Sequence, residues 1–480
     1  MEKFYLTTTL PYVNSEPHIW HAMELIQADI LARYFRKKLG NENVYLNTWT
    51  DEHGAKLYEK AKENWISPEE LVDKYVKSFE NFCEKFNISY DFFYRTSADY
   101  HVKHVYKIWN YCMQKGDIYK KEYTWKYCVD CEEFKTEKDL EDGKCPVHKK
   151  EPITISEENY FFAISKYKDK LLEYLDNNPE VLKPESKMNE LKNFVRDLQD
   201  ISISRKKEKM PWGIPVPNDE EQVIYVWFDA LTNYLGTIWY ADDKENFDQW
   251  RPWYQIFGPD NLRFQWAMWQ GMLAWADLSF SKKLLCHWYV LDPNGEKMSK
   301  SLGNVIDPIQ QLEKYWQEYV RYYLGAYMNT FGDWNYQEEE LKNVINSNLA
   351  DNFGNLLNRT INLANKKQVK INDFDNVDQD FKTEVDRLEK EAKRNMEDFE
   401  ISSAYHIINK IGIYWNKYID EKKPWEKDNS SEYIQNCLNN LSYLLHKLID
   451  LYEPVLPESC NKARYALENN EKIVLFKKID

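Results

Sequence analysis

Apolar and polar positions alternate along this chain in blocks that change period, and the changes mark out its elements. Phe4-Tyr5-Leu6-Thr7-Thr8-Thr9-Leu10 is β-branched and aromatic and predicts a buried strand over 4–10. After the turn Pro11–Pro17, Ala22, Ile26, Ile30 and Tyr34 recur at helical spacing up to Gly40, which predicts a helix with a glycine cap. Asn43–Asn47 predicts a second strand. Strand, helix, strand at this spacing is a βαβ unit, whose first loop opens onto a helix N-terminus, where α/β sheets bind anions. Residues 66–115 read as helical, with Ser67-Pro68-Glu69-Glu70 as the start. Short strands and turns follow over 117–210. The sheet pattern resumes at 211–217 and continues through Val223–Phe228 and Lys283–Cys286, and beyond 336 the chain reads as helix after helix.

This organisation predicts an α/β fold: a Rossmann-type parallel sheet split by an insertion and followed by an all-α domain. The expected divisions are 1–116 and 211–290 for the two halves of the sheet domain and 117–210 for the insertion. A connecting region over 291–335 and a helical domain over 336–480 follow. At 480 residues the chain is too long for one core. Apolar residues make up 43% and charged residues 30%, and there is no run of 18 apolar residues, so a cytoplasmic protein without a membrane span is expected. The net charge of −15 argues against a broad nucleic-acid coat but leaves room for local basic patches.

Three of the eight cysteines fall within one short stretch: Cys128-x2-Cys131, then Cys145-x2-His148. This Cys3His spacing suits one tetrahedral structural zinc with no open position for a catalytic water. Two further motifs carry chemistry together. His18 and His21, three apart at the strand-to-helix turn, can point donors at phosphates drawn to the helix N-terminus. Lys297-Met298-Ser299-Lys300-Ser301 places two lysines on a loop in the other half of the split sheet.

In that order and placement the pair resembles the signature motifs of class I aminoacyl-tRNA synthetases. Thr7–Asn14, Thr50-Asp51-Glu52-His53-Gly54, Tyr225–Leu231 and Gly295-Glu296-Lys297 resemble the methionyl branch of that family, over essentially the whole chain. The resemblance implies ATP-dependent attachment of methionine to tRNA through methionyl-adenylate, with Mg accompanying ATP. It implies that His18, His21, Lys297 and Lys300 bind ATP and act in catalysis. It also implies that Leu10, Tyr12, Trp227, Ala230 and Tyr234 line the methionine site and that Asp51 holds the α-amino group. Gln265 stands where the family usually has histidine, and Asn261 where it often has isoleucine. The tail resembles an anticodon-binding helical domain, with Asn355, Arg359 and Trp425 to read and stack bases. A monomer is expected, because the family's appended dimerisation module is lacking.

One departure sets up an alternative. Trp20 sits inside the histidine motif where the family has glycine, and Trp49, Trp65, Trp125, Trp288 and Trp316 stand at similar positions, with Trp239 and Trp275 weaker cases. Glycine is only 14 of 480 residues, against roughly 7% in average proteins, and tryptophan is 18. The expectation is that these positions are glycine in the native polypeptide, encoded by a stop-type codon read as glycine. If the tryptophans are real, the alternative is a catalytically impaired, tRNA-binding paralogue. A class I enzyme for cysteine, leucine or valine is a further alternative, although the chain is too short for the large editing insertion of the last two.

Overall fold

The computed structural model describes residues 2–480 except 10, 132, 136–138, 252, 299–302, 370, 372–375 and 427–429. The chain opens with β1 (Phe4–Thr7), then α1 (Ile19–Leu39), then β2 (Val44–Thr50). The predicted βαβ unit is therefore present, with β1 ending before Thr8 and β2 running three residues beyond Asn47. β1 and β2 pair in parallel from Phe4↔Val44 to Thr7↔Asn47. α1 buries Ala22, Ile26, Ile30 and Tyr34, as their spacing requires. It stops at Gly40, whose φ of 93° few other residues adopt at low cost. Arg36, Lys37 and Lys38 in its last turn complement the helix dipole, while its first turn carries no acidic residue.

The helical reading of 66–115 is corrected by a strand. α2 (Pro68–Lys85) starts as expected, with the Ser67 hydroxyl accepting from the Glu70 amide and Glu70 reaching back to the Ser67 amide. It gives way to β3 (Phe92–Arg95), which pairs in parallel with β2, and only then does α3 (Asp99–Gln114) begin. Phe92-Phe93-Tyr94 has no polar face to present as a helix. As a strand it ends on Arg95, which forks onto the buried Glu52 carboxylate at 3.0 Å.

The insertion is an antiparallel sheet of β4 (Ile118–Cys128), β5 (Glu133–Lys135), β6 (Ile153–Phe162) and β8 (Ile201–Ser202). Between β6 and β8 the chain returns to the main sheet as β7 (Leu182–Lys183). The main sheet is all parallel in the order β3-β2-β1-β9-β10-β7, where β9 is Trp253–Phe257 and β10 is Lys283–Cys286. The expected continuation of the parallel sheet through 211–217 and Val223–Phe228 is corrected: Pro215–Val216 and Asp219–Ile224 are strands of a separate, small antiparallel sheet. Val226–Leu231 is instead a helix, α4. The reason is Asp229, whose carboxylate a helical turn carries inward to two histidines.

From Glu338 to Asn469 the described residues are mostly helical, including Asn355–Lys367, Gln379–Glu397, Ile401–Lys422, Ser431–Tyr452 and Pro457–Asn469, and 471–480 follow without a helix. These helices share one continuous apolar core with α1 and β1. The two parts are also pinned by a fully buried ion pair, Arg321 to Asp29 at 2.7 Å. The same guanidinium donates to the carbonyls of Phe86, Pro454 and Val455. Burial by itself would raise the Asp29 carboxyl, but Arg321 and Arg33 outweigh it and hold it below the usual carboxylate range. No helix among the described residues is long and apolar enough to cross a membrane.

Candidate active site

A cavity of about 310 Å³ opens at the C-terminal ends of β1, β2, β9 and β10, where parallel α/β sheets bind ligands. His18 caps α1, and its ring stacks on His21 with centroids 3.8 Å apart. The His18 amide donates to His21 Nδ1, which fixes one ring against the other. Both line the cavity together with Tyr12, Asp51 and Trp227. Tyr12 is held by strand-like pairing to Asp51, and its hydroxyl accepts from the Leu57 amide. Gly54 has φ 131°, and a Cβ there would meet that hydroxyl at 2.6 Å, so this position requires glycine.

Lys297 stands at the rim. Its ammonium is 3.0 Å from Asp260 Oδ2, 4.2 Å above the Tyr289 ring and 5.5 Å above the Trp20 ring. Lys300 and Leu10 lie outside the described residues. Ala230, Tyr234 and Gln265 are fully buried rather than on the cavity wall. Gln265 Nε2 donates to Tyr234 Oη, and Gln265 Oε1 accepts from Gln255. Burial raises the Tyr234 phenol, which therefore stays protonated.

Three wall residues escaped the sequence reading. Glu24, on α1, accepts from the Thr9 amide and hydroxyl and meets His287 Nε2 at 2.8 Å. His287 follows β10 directly, and its Nδ1 lies 2.9 Å from the Trp288 carbonyl. Asp260 takes both Lys297 and the Tyr289 hydroxyl. His287 could have been found, since it stands at the C-terminal end of a predicted parallel strand. Glu24 also left a trace, as a carboxylate on a helix that buries most of its surface.

Trp20 lines the cavity as expected, with its indole N–H donating to the Val290 carbonyl at 2.7 Å. Trp65 and Trp239 have φ of 58° and 64°, a conformation that favours glycine, and Trp65 is 94% exposed. A second cavity, of about 830 Å³, is lined by Phe264, whose ring stacks on Trp227 at 3.9 Å. It is larger, but it holds neither the histidine pair nor Asp51 and Lys297, so the chemistry belongs to the smaller one.

Cys128, Cys131, Cys145 and His148 converge, with their ligand atoms all within 4.8 Å of one another. Cys131 and Cys145 sulfurs are 3.5 Å apart, and His148 Nδ1 lies 3.3–3.8 Å from the three sulfurs. A tetrahedral ion with bonds of about 2.0–2.3 Å needs ligand spacings of about 3.3–3.8 Å, the range found here. The four residues can therefore hold one metal ion. Cys131 also lines the active cavity, so the metal cluster forms part of its rim.

Asn355 and Arg359 share one helix face. Asn355 bonds Asn416, and Arg359 pairs with Asp420 while its guanidinium sits 5.8 Å over the half-exposed Trp425 ring. The three predicted base-reading residues are thus gathered in one patch.

A nucleotide-sized cavity above a split parallel sheet, with a histidine pair on one half and a lysine on the other, defines a class I aminoacyl-tRNA synthetase. The family described as tRNA synthetases class I (M) matches residues 4–151 and 135–361, and the anticodon-binding domain of tRNA ligase matches 378–477. The methionine–tRNA ligase of Fusobacterium nucleatum is 36% identical, over 99% of this chain and 76% of its own. That of Caldanaerobacter subterraneus is 38% identical, over 96% of this chain and 73% of its own. A structure of Mycobacterium tuberculosis methionyl-tRNA synthetase in complex with methionyl-adenylate superposes with a TM-score of 0.90 at 31% identity, covering 97% of this chain and 93% of that one. The chain belongs to the methionyl-tRNA synthetase family.

Proposed function

We propose that this chain activates methionine with ATP and transfers it to tRNA. The observation that carries the reading is the single cavity in which His18, His21 and Lys297 face Asp51 and Trp227. A methionine carboxylate oxygen attacks the α-phosphorus of ATP, the bond to the β-phosphate oxygen breaks, and pyrophosphate leaves. The ribose hydroxyl at the tRNA 3′ end then attacks the carbonyl carbon and AMP departs. Neither step needs a covalent enzyme intermediate, so positioning and charge stabilisation supply the rate. In this reading His18 and His21 hold the ATP phosphates beside the N-terminus of α1, where the helix dipole and the absence of acidic side chains from the first turn favour an anion. Lys297 and Lys300 neutralise charge that grows as pyrophosphate leaves. Asp51 takes the ammonium. Tyr12 and Trp227, with Leu10, enclose the thioether, and Ala230 and Tyr234 pack behind that wall; the thioether asks for apolar walls and little hydrogen bonding. Gln265 orients the Tyr234 hydroxyl.

The metal cluster would hold zinc, four protein ligands filling its coordination and leaving it a structural role. Mg would enter with ATP. Asn355, Arg359 and Trp425 would read and stack anticodon bases, with the protein acting as a monomer in the cytoplasm. Intact His18, His21, Asp51 and Lys297 disfavour the catalytically impaired alternative.

The test is ATP–pyrophosphate exchange with each amino acid. Exchange that depends on methionine is expected, and exchange driven by cysteine, leucine or valine instead overturns the reading. Lys300→Ala is expected to leave methionine binding nearly intact and to slow exchange about 10²–10³-fold. Unchanged exchange in that variant removes the lysine from the mechanism.

A further inference from the structure

Beneath the cavity lies a carboxylate that the mechanism above does not use. Asp229 is wholly buried on α4, two residues after Trp227 and one before Ala230. Each of its oxygens meets one imidazole. His53 Nδ1 lies 3.0 Å from Oδ2, and His101 Nε2 lies 3.0 Å from Oδ1. The far nitrogen of His101 is 3.1 Å from the Tyr94 hydroxyl. With Tyr94 donating to His101 Nδ1, the proton of His101 sits on Nε2, and both rings then donate to Asp229 while neutral.

The three partners come from three different elements. His53 belongs to the loop after β2, two residues beyond Asp51. His101 is on α3, and Tyr94 is on β3. The loop is braced from its other side, where the Trp212 indole donates to the Glu52 carbonyl and the Gly54 amide donates to the Trp212 carbonyl. A buried charge is costly unless its bonds are made, and neutral packing would anchor a short helix more cheaply. Burial alone would raise the Asp229 carboxyl, yet His53 and His101 outweigh burial and keep it below its ordinary range. The anion is therefore the form the fold stabilises, and its two oxygens fix two directions at once.

We infer that Asp229 is a positioning residue for methionine: it ties the segment carrying Asp51 to the helix carrying Trp227, and so sets the distance between the group that holds the ammonium and the wall that holds the side chain. The inference rests on the proposed methionine roles of Asp51 and Trp227. A ligand that spans both groups registers a change in that separation, whereas ATP, held by the histidine pair and the lysine loop, does not.

The experiment is steady-state ATP–pyrophosphate exchange, varying methionine and ATP separately, on the full chain and on Asp229→Asn, His53→Leu and His53→Asn, with the melting temperature of each. Loss of one hydrogen bond to the carboxylate is expected to raise KM for methionine about tenfold or more in Asp229→Asn and His53→Leu, with KM for ATP held within about twofold. His53→Asn places an amide N–H near the Nδ1 position and is expected to recover KM for methionine to within about threefold of the parent. The inference is overturned if folded Asp229→Asn keeps the parental KM for methionine, if both KM values rise together, or if the Leu and Asn variants at 53 behave alike. Where His53→Leu does not fold, Asp229→Asn, which keeps the side-chain shape, carries the comparison. No methionine-dependent exchange in the parent overturns the functional reading and this inference with it, while exchange with unmoved variant KM values overturns the inference alone.

Discussion

His287 Nε2 and Glu24 Oε2 approach to 2.8 Å across the floor of the active cavity, joining the end of β10 to α1. Glu24 also accepts from the Thr9 amide and hydroxyl, so this pair closes the junction between the two halves of the split sheet. His287→Leu is expected to lower exchange by about one to two orders of magnitude, because a buried carboxylate then loses one of its three partners. Parallel exchange and melting curves check this. Unaltered exchange in a folded variant would show that the contact is ornamental.

Removing the metal is expected to cost both stability and rate. The Cys128–His148 cluster places Cys131 on the wall of the cavity, and the backbone carbonyl of Asp130 accepts from Lys56, which lines the same wall. About one zinc per chain is expected from elemental analysis. Chelation or Cys145→Ser is expected to lower the melting temperature and to slow exchange, with rate restored on adding zinc back. A metal-free protein with full exchange contradicts this.

If Asn355, Arg359 and Trp425 read the anticodon as proposed, a change there separates recognition from activation. Trp425→Ala removes a stacking surface worth about 1–3 kcal/mol per base. It is expected to raise KM for tRNA in aminoacylation about tenfold and to leave pyrophosphate exchange untouched. A fall in exchange would place the defect in the fold instead.

The tryptophans make a sharper test of the chain itself. Left-handed backbone at a residue other than glycine costs about 1–2 kcal/mol. Trp65→Gly and Trp239→Gly are therefore each expected to stabilise the recombinant chain, and Trp20→Gly to lower KM for ATP by clearing the indole from the cavity. Mass spectrometry of the native peptide spanning Ile19–His21 decides the origin. Glycine mass is expected, and tryptophan mass refutes recoding.

Acid is expected to weaken the fold through Asp29. Its carboxyl is held below its unfolded value of about 3.9, so its contribution is fully present above that pH and fades as pH falls through the lower folded value. Melting temperatures from pH 5 to pH 2.5 should therefore fall less steeply in an Asp29→Asn, Arg321→Met double variant. Arg321→Met alone is expected to destabilise by about 3–5 kcal/mol at neutral pH.

How far the sequence could be read varied with the kind of signal. The βαβ opening, the metal spacing and the helical tail were legible because each is local: periodicity within one element, or ligands within twenty-odd residues. β3 was hidden because a four-residue aromatic strand between two long helices carries too few positions to show a period of two. α4 was mistaken for strand because Val223-Ile224-Tyr225-Val226 has every β-favouring feature, and the partners that turn it helical stand 176 and 128 residues away. The site followed the same rule. His18, His21, Asp51 and Lys297 sit in motifs, whereas Asp260 becomes recognisable only when the loop after β9 meets Lys297, and Glu24 and His287 left only the weak traces of their places on α1 and after β10.

The clamp of Arg321 on Asp29 reaches across 292 residues, and it has a consequence for how the chain is made. During synthesis from the N-terminus, α1 and its histidine pair emerge long before the guanidinium that neutralises Asp29. Until then Asp29 has Arg33 on its own helix and the Ser89 amide and hydroxyl, and the Phe86 carbonyl waits for the Arg321 guanidinium. The packing of the N-terminal third around Asp29 therefore completes only after Arg321 is made, and the arginine's own shell closes only when the turn at 454–455 arrives.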